Sequence, residues 1–201
     1  AAGDPSNDAV RVNVDELRCD VVGEGGNLGF TQRARIEYAL QGGRINTDAL
    51  DNSGGVDMSD HEVNLKILLA PAVRDGTLTP ERRNALLEEL TEAVAELVLD
   101  NNRSQSLAIS LDELRAKEST DDVRDLMYAL EKAGELDRAA EGLPSSDVLY
   151  ERRERGQAMA RPELCVLLAY AKLSLKSRLL SSGLPDDPVT ESYLLGYFPP
   201  A

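Results

Sequence analysis

A mainly α protein with a short α/β part at its N-terminal end is predicted by three observations. From Asp75 onward, apolar residues recur at helical spacing with few interruptions. Before that point, two β-prone runs flank a single helical pattern, the order of a strand–helix–strand unit. Two clusters of glycine and small polar residues, Gly23–Gly29 and Asp51–Glu62, adjoin those elements. Glycine is entropically costly in ordered chain unless the backbone must turn sharply or something must come close.

In chain order, residues 1–7 are polar and read as a loose end. Val10, Val12 and Val14 alternate with polar residues, which predicts a short strand or extended lead-in. Cys19–Val22 reads as a buried strand delivering the first glycine cluster. Thr31 is placed to cap a helix over Gln32–Gln41, with Ile36 and Leu40 inward and Gly42-Gly43 ending it. Arg44–Thr47 is a second strand, and the crossover favours parallel pairing. So small a sheet reads as the final part of an α/β domain, with an unpaired edge near Val21.

Asn52-Ser53-Gly54-Gly55-Val56 reads as a glycine turn. Ser59, with Glu62 three residues on, has the form of a capping box opening a helix to about Leu69 that Pro71 ends or kinks. Thr79-Pro80 opens a helix carrying Leu86, Leu90, Val94 and Leu97 to about Asn101. Residues 103–113 are ambiguous. Asp121–Lys132, Ser145–Arg155 and Arg161–Leu180 are further helices; the last carries a stripe of Leu164, Leu168, Ala171, Leu175 and Leu179. A final short helix covers Val189–Leu195. The division expected is 1–58 for the α/β part and 59–201 for the helical part.

The bulk composition narrows the function. The chain has 201 residues, 42% hydrophobic and 29% charged, with a net charge of −14. That charge argues against nucleic acid and against anionic membrane surfaces, both of which recruit clustered Lys and Arg. No apolar run reaches the ~20 residues that span a bilayer, and AAGDPSNDAV does not read as a signal peptide. Cys19 and Cys165, far apart and in apolar contexts, read as reduced thiols of a cytoplasmic protein. The single histidine, His61, makes no familiar metal spacing with them, so no metal site is expected.

The Gly23–Gly29 cluster is spaced G-x-G-x-x-x-G, which departs from a dinucleotide fingerprint, and no acidic residue closes the next strand well. Its plain reading is a tight strand-to-helix connection. The second cluster offers more: at a helix N-terminus, Ser59 would face an anion such as a carboxylate, beside plain capping as its other reading. The leucine stripes read as core, and Glu151–Arg155 as a solvated face. Tyr193, Tyr197 and Phe198 read as a packed C-terminal tail. His61, between Asp60 and Glu62, is not nominated as a base.

These clusters resemble the glutamate dehydrogenases. That superfamily carries Glu-Gly-Ala-Asn late in its nucleotide-binding domain, here Glu24-Gly25-Gly26-Asn27. After one helix and one strand it carries Asn-Ala-Gly-Gly-Val-x-x-Ser-x-x-Glu, here Asn52 through Glu62. The runs Gly23–Gln32, Gly43–Asn64, Arg161–Leu164, 168–172 and Leu184–Pro188 are similar to the very large bacterial NAD-specific members. The resemblance spans nearly the whole chain. It implies the C-terminal end of a Rossmann-like α/β cofactor domain, followed by a helical region. It implies hydride transfer from L-glutamate to NAD, giving 2-oxoglutarate and ammonium, in a full-length enzyme expected to be a homo-oligomer. Gly25, Gly26, Asn27 and Asn52 match cofactor-side positions, and Val56 and Ser59 match the glutamate pocket. Leu28-Gly29-Phe30 departs from shorter relatives, which have proline and threonines there. The family's catalytic lysine and aspartate match nothing here, so no catalytic residue is expected in this chain. The implied piece is a C-terminal part of a longer enzyme, inactive alone. The other reading makes the helical region a non-catalytic structural or oligomer-forming module.

Overall fold

The computed structural model describes residues 6–26 and 29–200. The protein is mainly α. Two compact units partition the chain: one holds residues 1–48 and 109–170, the other 49–108 and 171–201.

In the first unit, the valines near the N-terminus do not form a strand. Two 3-10 turns, Asp8–Val10 and Val14–Glu16, take their place. Glu16 accepts a hydrogen bond from the Asn13 backbone N–H at 2.6 Å, and that local bond closes a turn where alternation alone suggested extension. The expected βαβ unit is present in miniature. β1 (Val21–Val22) pairs in parallel with β2 (Arg44–Ile45), Val21 against Arg44 and Val22 against Ile45, with α1 (Gln32–Leu40) between them. Val21 is exposed, on a strand whose only strand partner among the described residues is β2.

Thr31 caps α1 as expected, accepting from the Ala34 N–H. The face that α1 buries differs from the expected one. Arg35 and Tyr38 point into the unit, and Tyr38 packs with Val14 and Ile45. Ile36 and Leu40 lie on the opposite, half-buried side. Helical spacing alone could not choose between the faces, because the buried one is amphipathic and held by polar tips. Tyr38 donates to the Cys19 carbonyl at 2.6 Å, and burial pushes its phenol above the ordinary range, with the Cys19 thiol adding to the shift. Cys19 itself is exposed; Cys165 is buried.

The same unit holds α6 (Thr120–Lys132), α7 (Ser146–Glu154), and parts of α5 (Thr91–Glu118) and α8 (Arg161–Leu180). Ser119 and Ser145 cap α6 and α7. Ile109 and Met127 are fully buried. The ambiguous stretch 103–113 is helical throughout, inside α5.

In the second unit, α2 (Asp48–Asp51) runs almost directly into α3 (Ser53–Arg74). This corrects two expectations. Asn52–Val56 is the first turn of α3, not a separate glycine turn, and Ser59 lies inside the helix, not at its cap. Pro71 also lies within α3; the helix ends three residues later at Arg74, with the Asp75 N–H bonded to the Pro71 carbonyl. The long helix expected after Thr79 is divided at Leu90 into α4 (Pro80–Glu89) and α5.

The core of this unit is Leu65, Val94 and Val98, flanked by Met58, Leu87, Leu90 and Phe198. Phe198 follows α9 (Glu191–Tyr197), so the tail is packed at that point, while Tyr193 is exposed. The leucine stripe of α8 is core only in its first half. Leu164 is buried and Leu168 and Ala171 are half-buried, whereas Leu175 and Leu179 are exposed. Among the described residues no helix is long and apolar enough to cross a membrane.

Candidate functional site

The first glycine cluster is closed by a buried ion pair. Glu24 follows β1 and is 6% exposed; Arg35 projects from α1 and is 4% exposed. Arg35 Nε donates to Glu24 Oε2 at 2.7 Å and Nη2 to Oε1 at 2.8 Å, a two-pronged guanidinium–carboxylate pairing. Glu24 Oε1 also accepts from the Phe30 N–H at 2.8 Å. Residues on both sides of the Gly25–Gly29 loop are thus tied to one carboxylate. Arg35 Nη2 lies 3.3 Å from Asp48, which adds a second anion to the same guanidinium. A side chain at Gly29 would press on Glu24 Oε1 at 3.3 Å. At Gly25 and Gly26, by contrast, an added Cβ meets no atom within 4 Å, and neither has a positive φ. Neither backbone conformation nor packing within the described residues asks for glycine there. Asn27, expected on the cofactor side, lies outside the described residues.

The second cluster is an interlocked helix corner. Ser53 Oγ accepts from Asn102 Nδ2 at 3.0 Å and from Gln105 Nε2 at 3.1 Å, and Asn102 also donates to the Leu50 carbonyl. A Cβ at Gly55 would stand 2.9 Å from Asn52 Oδ1, and one at Gly54 would stand 3.5 Å from a Val98 methyl. Gly55 therefore has a packing reason, since it lets Asn52 fold over the helix start, whereas a methyl at Gly54 would meet Val98 in ordinary contact.

The two faces of α3 divide cleanly. Gly54, Met58, His61 and Leu65 recur at three- and four-residue steps on the side packed within the unit. Asn52, Val56, Ser59, Val63 and Ile67 follow the same rhythm on the opposite side. Val56 is 62% exposed, Ile67 64% and Val63 49%, and Ser59 is exposed. The structure places three expected site residues, Asn52, Val56 and Ser59, along one outward face. It removes the helix N-terminus as the reason for choosing Ser59.

Several polar arrangements had no sequence signal beyond residue type. His61 is fully buried and stacks on Tyr197, with ring centroids 4.2 Å apart at 10°. Its Nε2 is 3.5 Å from Asp57, and Asn64 donates to the Tyr197 hydroxyl. Arg152, expected on a solvated face, instead pairs with Glu163, which is fully buried and also accepts from the Ala160 N–H. Arg161 joins Asn46, Ser110 and Glu113. Tyr170 donates to Glu141 at 2.6 Å, and that hydrogen bond, with burial, holds its phenol above the ordinary range. No group of three His, Cys, Asp or Glu among the described residues could hold a metal ion.

The sequence model for the bacterial NAD-glutamate dehydrogenase catalytic domain matches residues 1–112. The chain belongs to the bacterial NAD-glutamate dehydrogenase family. A second model, for the glutamate dehydrogenase C-terminal region, matches residues 156–201. The chain is 55% identical over 92% of its length to the NAD-specific glutamate dehydrogenase of Pseudomonas aeruginosa. It is 49% identical over 98% to that of Halomonas elongata, and 46% over 99% to that of Mycobacterium tuberculosis. It spans 11% of the first relative's length and 12% of the other two. In this member of the family, then, the paired Glu24–Arg35 loop and the outward face of α3 both lie within the catalytic-domain match.

Proposed function

We propose that the whole protein is an NAD-dependent glutamate dehydrogenase, and that this chain supplies part of its cofactor and substrate pocket. The observation that carries the reading is the shared outward face of Asn52, Val56 and Ser59 on a helix whose other face is packed. Bound NAD would accept the hydride leaving the α-carbon of L-glutamate. Gly25 and Gly26 would let the cofactor approach the backbone, which fits the open space at both positions; Asn27 is assigned to the cofactor side on the resemblance alone. Glu24 and Arg35 hold that loop in shape. Asn52, folded over Gly55, would present its amide to the cofactor. Val56 would line the glutamate side chain, and Ser59 would donate its hydroxyl hydrogen to the distal carboxylate. No residue of this chain is assigned proton transfer; the acid–base steps are proposed to lie elsewhere in the protein.

Ser59→Ala in the full-length enzyme is expected to raise KM for glutamate about tenfold, the value of one hydrogen bond to a charged group. The KM for NAD and the unfolding midpoint should stay unchanged, because Ser59 is exposed and off the packed face. Steady-state kinetics with both substrates varied decides the matter. An unaltered glutamate KM removes Ser59 from the pocket.

A second reading concerns the C-terminal helices. Leu173, Leu175 and Leu180 on α8, and Tyr193, Leu194 and Leu195 on α9, are all more than half exposed. Apolar surface of this density suits assembly with other protein surface. Sedimentation equilibrium is expected to show the chain associating with rising concentration, and Leu194→Glu with Leu195→Glu to weaken it. A monomer across the whole range would count against an assembly role.

A further inference from the structure

We propose that Tyr197 is a positioning residue for the substrate wall of α3: by stacking on His61 and holding Asn64, it fixes the side of the helix that lies behind Ser59. The inference rests on the assignment of Ser59 to the glutamate pocket. All the residues involved belong to the second unit.

His61 follows Ser59 by two residues, which in an α-helix is ~3 Å along the axis and ~200° around it. It stands almost directly behind Ser59, on the packed side of α3. The residue is 1% exposed, yet neither ring nitrogen has a hydrogen-bond partner among the described residues. Asp57, 3.5 Å from Nε2, is too far for a good hydrogen bond and is itself tied to Asn101. The imidazole is held instead by the face of Tyr197, with ring centroids 4.2 Å apart and planes 10° from parallel.

The same tyrosine has a second grip on the helix. Its hydroxyl accepts from Asn64 Nδ2 at 2.9 Å, and Asn64 comes close to one turn after His61. One side chain thus holds two residues of α3, which opposes both rotation and sliding of the helix. Phe198, next in the chain, meets Tyr197 edge-on and joins Leu65, Val94 and Val98. Tyr193, Leu194 and Leu195 of α9 are exposed, so the hold of the C-terminal segment on α3 lies at Tyr197 and Phe198.

The test is a double-mutant cycle in the full-length enzyme, read as KM for glutamate against KM for NAD. Tyr197→Leu removes the stack and the hydroxyl together. It should raise KM for glutamate about fivefold, the scale of one aromatic pair, and leave KM for NAD unchanged. Tyr197→Phe keeps the stack and loses only the Asn64 bond, so the rise should fall to about twofold. Tyr197→Leu combined with Ser59→Ala should match Ser59→Ala alone, because a displaced alanine has no hydroxyl to misplace. Effects that multiply would overturn the proposal, as would a wild-type KM for glutamate in Tyr197→Leu. A rise in both Michaelis constants would make Tyr197 a general prop of the fold and overturn it too. Ser59→Ala separates this inference from the one beneath it. If Ser59→Ala raises KM for glutamate and Tyr197→Leu does not, the positioning role alone fails. If Ser59→Ala has no effect, the pocket assignment fails and the positioning role falls with it.

Discussion

Arg35→Ala is expected to destabilise the protein by about 3–5 kcal/mol, the cost of stripping one partner from a buried ion pair. Glu24 is 6% exposed and receives two hydrogen bonds from Arg35. Without them its buried carboxylate loses its guanidinium counter-charge and keeps the Phe30 N–H. Urea unfolding measures the loss. The double variant Glu24→Gln with Arg35→Met should cost clearly less than the two single changes added, because it removes charge and counter-charge together. A loss below about 1 kcal/mol for Arg35→Ala would class the pair with solvated surface bridges. On the function proposed above, the same substitution in the whole protein should raise KM for NAD, since Glu24, beside Gly25 and Gly26, would lose its anchor.

Gly43→Ala is expected to cost about 3 kcal/mol, the upper end for forcing extra volume into a packed site. A Cβ there would lie 2.3 Å from Tyr38 Cε1 and 2.4 Å from Cζ. The ring cannot swing away without loss. It is 5% exposed, packed on Val14 and Ile45, and its hydroxyl is bonded to the Cys19 carbonyl. Gly42 provides the comparison. Its φ is +97°, with open space around the missing Cβ, so Gly42→Ala should cost only about 1 kcal/mol in backbone strain. Thermal or urea unfolding of both variants separates the two effects. Equal costs would mean that both glycines serve only to end α1.

The pair of glycines shows where sequence reasoning reached and where it stopped. A helix followed by Gly-Gly ends there, because glycine takes the backbone angles that a helix exit needs. That Gly43 is also the seat of a tyrosine ring depends on residues brought close by folding. The site behaves alike. The resemblance is what singles out Asn52, Val56 and Ser59 together, and the structure sets them on one outward face. The physical reason first attached to Ser59 was wrong. The α2–α3 corner, held by Ser53, Asn102 and Gln105, lets the helix begin seven residues earlier than the capping pattern implied, with Asn52 and not Ser59 at the N-cap. Capping signals are local, and side chains arriving from a distant helix override them.

Local chemistry in the sequence by itself determined most helices, the Thr31 and Thr79 caps, and the parallel pairing of the two short strands. These depend on neighbours within a few residues, or on the one handed connection a strand–helix–strand order allows. Tertiary structure alone decided which face of α1 is buried, where the leucine stripe of α8 leaves the core, and which charges are paired. Arg35 with Glu24 and Arg152 with Glu163 each bridge eleven residues of sequence. Removing a charge from water is tolerable only where a partner is already in place. Periodicity shows that a residue can face inward, but only the assembled neighbours supply the opposite charge that lets it stay there.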